Sequence, residues 1–328
     1  KRCTTSNGTR HVQVEGGVCG AHPLSSHWDA MDGATREHFE QAVLVSFNQG
    51  VDASYRNAAL QSLTQLKQSP DISRFAVEAL HQTAHMEVKF WCLQALVEIV
   101  QQGRYAAFSQ EDTTALQHAI FSFLERIAGE EQPFIKNKLA QLLVAMVEVD
   151  YPDRWASFFP SLLALLPRGE TAMDLFLRVL ATLHEEVLSP ESGSRTPERL
   201  PVATRIKDAM RAQTVPPIVE AWYAIMLRTA SAGDHADLCL QTLQVARVYV
   251  PWIDIALVAH PRFLELLLCF TELPDLHEGA CGVITELVVK GMEPPAKLAH
   301  LQALNLNPHL SRLVEAGAAA GKGGGPGG

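Results

Sequence analysis

No apolar run of about 18 residues occurs in this chain, so no segment of it reads as a membrane span. The N-terminus starts Lys1-Arg2 but lacks an apolar stretch of signal-peptide length. The six cysteines, Cys3, Cys19, Cys92, Cys239, Cys269 and Cys281, form no C-x-x-C pair. Cys92 and Cys281 sit in apolar helical patterns, which reads as small buried thiols in a reduced, intracellular chain. No alternating apolar–polar pattern marks a strand. No Ser/His/Asp or Cys/His set follows from spacing, so an enzyme reading is disfavoured. Basic excess is missing too: 27 Lys+Arg face 36 Asp+Glu, a net charge of −9. Phosphate neutralisation drives indiscriminate nucleic-acid binding, so any RNA contact needs a local basic surface or a partner.

Isolated motifs fail on context. His81 and His85 have i, i+4 spacing but straddle an inter-helix turn, and no Cys or carboxylate set joins them, so no metal site is assigned. His184-Glu185-Glu186 lacks the second His of H-E-x-x-H and reads as a solvated helix end. Gly317 to Gly321-Lys322-Gly323 imitates a phosphate loop, but it is one residue short and has no Ser/Thr after Lys.

What is there is helix after helix, within an ordinary globular composition of 47% hydrophobic and 19% charged residues. The spacing predicts spans near 36–48, 53–68, 71–83, 85–102, 111–129, 133–150, 153–166 and 170–188. Further spans follow near 203–213, 216–231, 235–249, 251–259, 261–271, 275–290 and 295–306. Short connections rich in Pro, Gly, Asp and Ser punctuate them. Helix pairs recur about every 40–45 residues, the period of HEAT and armadillo units. Periodicity favours an all-α solenoid and leaves a compact α-bundle open.

Residues 1–30 are polar and without period; regular patterning begins just after Met31. Met31 is expected to be the natural start, with residues 1–30 an extension or gene-model artefact; a genuine disordered tail is the alternative. Residues 189–201 form a Pro/Ser-rich connection, a mobile loop or an edge contact. Residues 307–328 end in a Gly-rich tail expected to be disordered. The helix near Pro295–Leu306 stays Leu-rich where a solenoid end needs a polar cap, which suggests truncation before further repeats.

The segment Pro133 to Leu142, running on to Tyr151-Pro152-Asp153-Arg154-Trp155, is the most informative. Ile135, Leu139, Leu142, Leu143, Met146 and Val149 form one apolar stripe, with Asn137, Gln141 and Glu148 opposite. Lys136 and Lys138 fall on the flanks, where stems cover apolar surface and ammonium groups stay wet. Lys89 lies on a helix whose core face is Val88, Trp91, Cys92, Ala95, Leu96 and Ile99, and Arg205, Lys207 and Arg211 lie on a later one. The bland reading of each cation is a solvated helix flank.

Several blocks, in order, carry a family resemblance. They are Val88-Lys89-Phe90-Trp91-Cys92, Phe134-Ile135-Lys136-Asn137-Lys138-Leu139, Tyr151-Pro152 with Trp155, and Arg178-Val179-Leu180. Arg205-Ile206-Lys207-Asp208-Ala209-Met210-Arg211, Ala221-Trp222-Tyr223, Trp252-Ile253-Asp254-Ile255 and Val289-Lys290-Gly291-Met292 follow. From about Met31 to Leu306 the chain resembles the N-terminal part of exportin-T, the tRNA exportin branch of the karyopherins.

The resemblance implies a HEAT-repeat superhelix of antiparallel helix pairs, with residues 31–306 as a Ran-binding arm and part of a cargo surface. It implies a nuclear export receptor that binds tRNA cooperatively with Ran-GTP and releases it in the cytoplasm after Ran hydrolyses GTP. Lys89, Lys136, Asn137 and Lys138 would face Ran; Arg205, Lys207 and Arg211 would lie near tRNA phosphates or Ran. Trp91 and Trp155 read as packing anchors. The chain would need no cofactor, GTP being bound by Ran. It would work as a monomer, meet nuclear pore proteins and shuttle between nucleus and cytoplasm. The rival readings are a karyopherin for protein cargo and a generic HEAT scaffold.

Overall fold

The structure is a computed structural model that describes residues 33–127, 131–189, 199–232, 236–308 and 311–312. The expectations for residues 1–30, for most of 189–201 and for most of the tail 307–328 fall outside these residues; within the tail expected to be disordered, 307–308 and 311–312 are described and helical. The chain divides into two compact units, at Ile72/Ser73. All described regular structure is helical, and the fold is an all-α HEAT-repeat solenoid.

In the first unit, α1 (Gly33–Phe47) packs on α2 (Ala53–Lys67) through Phe39 and Val43 on one side and Leu63 and Leu66 on the other. Asp52 opens α2, its carboxylate accepting the Ser54 N–H at 2.8 Å. The second unit holds α3 (Ile72–Gln82) from Ser73 onward, α4 (Met86–Gln101), α5 (Gln110–Arg126), α6 (Pro133–Asp150), α7 (Phe158–Ala164) and α8 (Glu170–Leu183). It continues with α9 (Arg199–Gln213), α10 (Val215–Ala232), α11 (Ala236–Tyr249), α12 (Ile255–Val258), α13 (Pro261–Phe270), α14 (His277–Val289) and α15 (Pro294–Leu304).

Local chemistry sets the ends. Ser109 caps α5, its hydroxyl accepting the Asp112 N–H at 3.1 Å, and Glu111 and Asp112 favour the positive end of the helix dipole. Pro133 opens α6, where its missing N–H costs nothing. Gly169 precedes α8 at φ 125°, a conformation that a side chain would strain. Asn305 closes α15 in the left-handed region at φ 44°.

In the second unit α4, α6, α8, α11 and α14 lie side by side in that order, with α10 packed on α11 and α13 on α14. Many polar links between helices join residues 38 to 45 apart, such as Lys136–Asp174 and Gln141–Glu186. The repeat period is therefore visible in the bonds themselves.

Several expectations change. The span 153–166 is helical only from Phe158 to Ala164, after a turn that holds the cis Tyr151-Pro152 peptide. The span 251–259 shortens to the single turn of α12, and α9 starts at Arg199, inside the expected loop. Helix α6 is buried well beyond one stripe, because Val144, Ala145 and Val147 are also covered between neighbours. Trp91 and Trp155 are buried as anchors; Trp155 packs with Phe158 at 4.8 Å and Phe121 at 5.7 Å. Cys92 is buried, but Cys281 is half-buried and Cys269 exposed, so the buried-thiol reading holds only in part.

The interior also holds an unforeseen carboxylate. Asp150, 1% exposed, accepts the Tyr105 hydroxyl and the Gln117 amide at 2.8 Å, and Arg154 lies 3.5 Å away. A charge this deep persists only with such partners.

Candidate functional site

Helix α6 sits between α4 and α8, and its first turn reaches both. Lys138 turns towards α4: its Nζ donates to Gln94 Oε1 at 2.8 Å and to Gln141 Oε1 at 2.7 Å, 5.3 Å from the Phe90 ring centre. Burial lowers the Lys138 pKa, partly offset by Glu186 and Glu98. Lys136 turns towards α8 and donates to Asp174 Oδ2. Arg178, one turn along α8, donates to Asp174 Oδ1 at 2.8 Å and to Asn137 Oδ1 at 2.6 Å. Lys89 on α4 donates to Glu131 Oε2 at 2.7 Å, just ahead of α6. The Phe134 to Lys138 block is thus wired into the repeats on either side of it.

The wiring corrects one expectation. The Lys136 side chain is only 15% exposed and its ammonium is paired rather than wet. Burial pushes the Asp174 carboxyl up, but the hydrogen bonds from Arg178 and Lys136 outweigh it and hold the pKa below 3.8.

Two hollows open over this face. One, of about 690 Å³, is walled by Phe90 and Phe134, by Asn137, Lys138 and Gln141, and by residues of α8 and α11. The other, of about 740 Å³, lies over Glu131, Lys136 and Asp174, towards the N-terminal ends of α6, α8 and α11. Both have Arg178, Gln241 and Gln244 in their walls, so they form one groove across α6, α8 and α11. At its far end α8 widens into a π-type turn, His184–Leu188, a feature common at functional sites. His184 Nδ1 is buried there without a hydrogen bond, and burial together with Lys207 lowers its pKa.

Of the sequence-predicted residues, Lys136, Asn137 and Lys138 line the groove, and Lys89 reaches it through Glu131. Arg205, Lys207 and Arg211 on α9 line neither hollow. Arg205 donates to the Glu148 carbonyl at 2.8 Å, while Lys207 and Arg211 lie 5.7 and 5.5 Å from the Trp252 ring centre. His81 bonds the Ala119 carbonyl at 2.9 Å, and His85 precedes α4. No group of three or more potential metal ligands occurs among the described residues. No helix among them is long and apolar enough to cross a membrane. Sequence reasoning missed Asp174 as a partner; the signal was its 38-residue separation from Lys136, close to one repeat.

Residues 132–284, from the N-cap of α6 into α14, match the family described as Exportin 1-like protein. Exportin-T of Arabidopsis thaliana is 36% identical over 285 residues, covering 83% of this chain. Exportin-T of Dictyostelium discoideum is 33% identical over 272 residues and that of Homo sapiens 32% over 270, covering 82% and 81% of this chain. The chain belongs to the exportin-T family. It spans 28% of the length of the Arabidopsis exportin-T, 24% of the Dictyostelium one and 28% of the human one. The Exportin 1-like match contains α6, α8 and α11, and so three of the four helices around the groove of this exportin-T family chain.

Proposed function

We propose that this chain is a segment of a nuclear export receptor that takes tRNA together with the GTP-bound form of Ran, and that itself catalyses nothing. The observation that carries the reading is the 36% identity to an exportin-T over 83% of the chain. The exportin-like match across the α6–α8–α11 face supports placing the Ran contact on that face, where Lys89, Lys136, Asn137 and Lys138 lie. Arg205, Lys207 and Arg211 on α9 are the proposed tRNA- or Ran-facing cations. Ran and tRNA then assist each other's binding reciprocally, and GTP hydrolysis by Ran in the cytoplasm releases both. GTP belongs to Ran, and this chain needs no cofactor. The receptor is monomeric, passes between nucleus and cytoplasm and meets nuclear pore proteins on the way. A net charge of −9 fits weak RNA affinity until Ran is bound.

The test is capture of Ran on the immobilised chain at constant salt, with Ran loaded either with a non-hydrolysable GTP analogue or with GDP. Selective retention of the GTP form supports the receptor reading. Equal retention of both forms overturns it in favour of a scaffold.

A further inference from the structure

Six carboxylates line the groove: Glu131, Glu170, Asp174, Asp237, Glu185 and Glu186. Three cations line it: Lys136, Lys138 and Arg178. The cations are already engaged, Lys136 and Arg178 on Asp174, and Lys138 on the Gln94 and Gln141 amides. Among the described residues Glu185 and Asp237 make no ion pair, and each is exposed. Glu185 belongs to the hollow at the far end of α8 and Asp237 to the hollow at the start of α11. The charge left uncompensated is therefore negative and sits in both lobes, where a phosphate backbone would be repelled.

The remaining lining suits a polypeptide. Phe134 is 45% exposed, its ring 6.0 Å from that of Phe90, and the wall continues through Leu177, Ala181, Val245 and Val248. An aromatic side chain held this open above an apolar wall gains by being covered, the usual setting of an interface anchor. The side-chain amides of Gln241 and Gln244, shared by both lobes, make no hydrogen bond among the described residues. Each amide offers a donor and an acceptor together, which matches the N–H and C=O groups of an extended backbone.

We propose that this groove is the docking site of an extended protein segment that presents an apolar side chain to Phe134 and a Lys or Arg to each of Glu185 and Asp237. Nucleic acid does not enter it. The chemistry of the groove stands on these residues alone. Assigning the segment to Ran rests on the receptor reading above.

The experiment titrates the chain with a fluorescent synthetic peptide carrying Lys at both ends of a Leu/Phe centre. A matched peptide with Glu for Lys, and unlabelled tRNA as competitor, complete the set. The basic peptide is expected to bind, to weaken about tenfold in Glu185→Lys/Asp237→Lys and in Phe134→Ala, and to resist displacement by tRNA. All three side chains are exposed, and an unchanged circular dichroism spectrum checks that the variants are folded. Equal binding of the acidic peptide, unaltered affinity in the variants or displacement by tRNA overturns the proposal. Peptide binding without nucleotide-selective Ran capture keeps the groove and removes the receptor reading. Ran capture that persists in the variants, with no peptide binding, removes the groove and keeps the receptor.

Discussion

Asp174 holds two cations in the α6–α8 contact, Lys136 from α6 and Arg178 from its own helix. Removing its charge leaves two half-buried cations facing each other across a low-dielectric seam. Asp174→Asn is expected to cost about 2–3 kcal/mol in urea unfolding, less than a fully buried pair because some solvent reaches the site. His184 carries a pH dependence. Burial and Lys207 hold its pKa below 6.5, so the folded chain favours the neutral ring while the unfolded chain takes up a proton near 6.5. Stability is then full above that value and falls as pH drops through the folded pKa. Melting temperatures measured near pH 7.5 and near pH 5.5 should diverge more for the parent than for His184→Gln. Neither effect is written in the local sequence. Lys136 reads as a solvated flank because the residue that binds it lies 38 positions away.

Helix α6 was legible almost completely. Its bounds, 133–150, follow from Pro133 and from a stripe that includes Ile135, Leu139 and Leu143, each 0% exposed. Leu143→Ala should cost about 2–5 kcal/mol, measured by the same unfolding, since a close-packed site collapses only in part around a cavity. The short elements were less legible. The apolar residues from Trp155 to Leu165 suit a helix throughout, yet the chain first turns through Tyr151 to Ser157 to bury Tyr151, Trp155 and Phe158 together. Tertiary packing overrode local periodicity there. Nothing in His184-Glu185-Glu186 announces the wider π-type turn after Leu183.

Across the stacked row of the second unit, each helix meets chiefly its sequence neighbours in the repeat order. Stability in such a row is nearly a sum of repeat and interface contributions. Hydrogen exchange on Leu143→Ala should therefore rise in α4, α6 and α8 and change little in α13 and α14. A uniform rise through all of these helices would instead mark the unit as one cooperative block.

The sequence by itself determined which segments coil, where most of them stop, that they pair at a period near 40–45 residues, and which family signature they carry. These follow from spacing within a single helix and from Pro, Gly and capping residues, all of them local. Only the tertiary structure decided what the polar residues do: Lys136 held by Asp174, Asn137 by Arg178, Lys138 by Gln94, and a groove whose uncompensated charge is negative although the Lys136-Asn137-Lys138 block in its wall is basic. The partners lie one repeat away in sequence. Which of them meet depends on how adjacent helices are rotated and offset, and packing of the apolar faces sets that rotation.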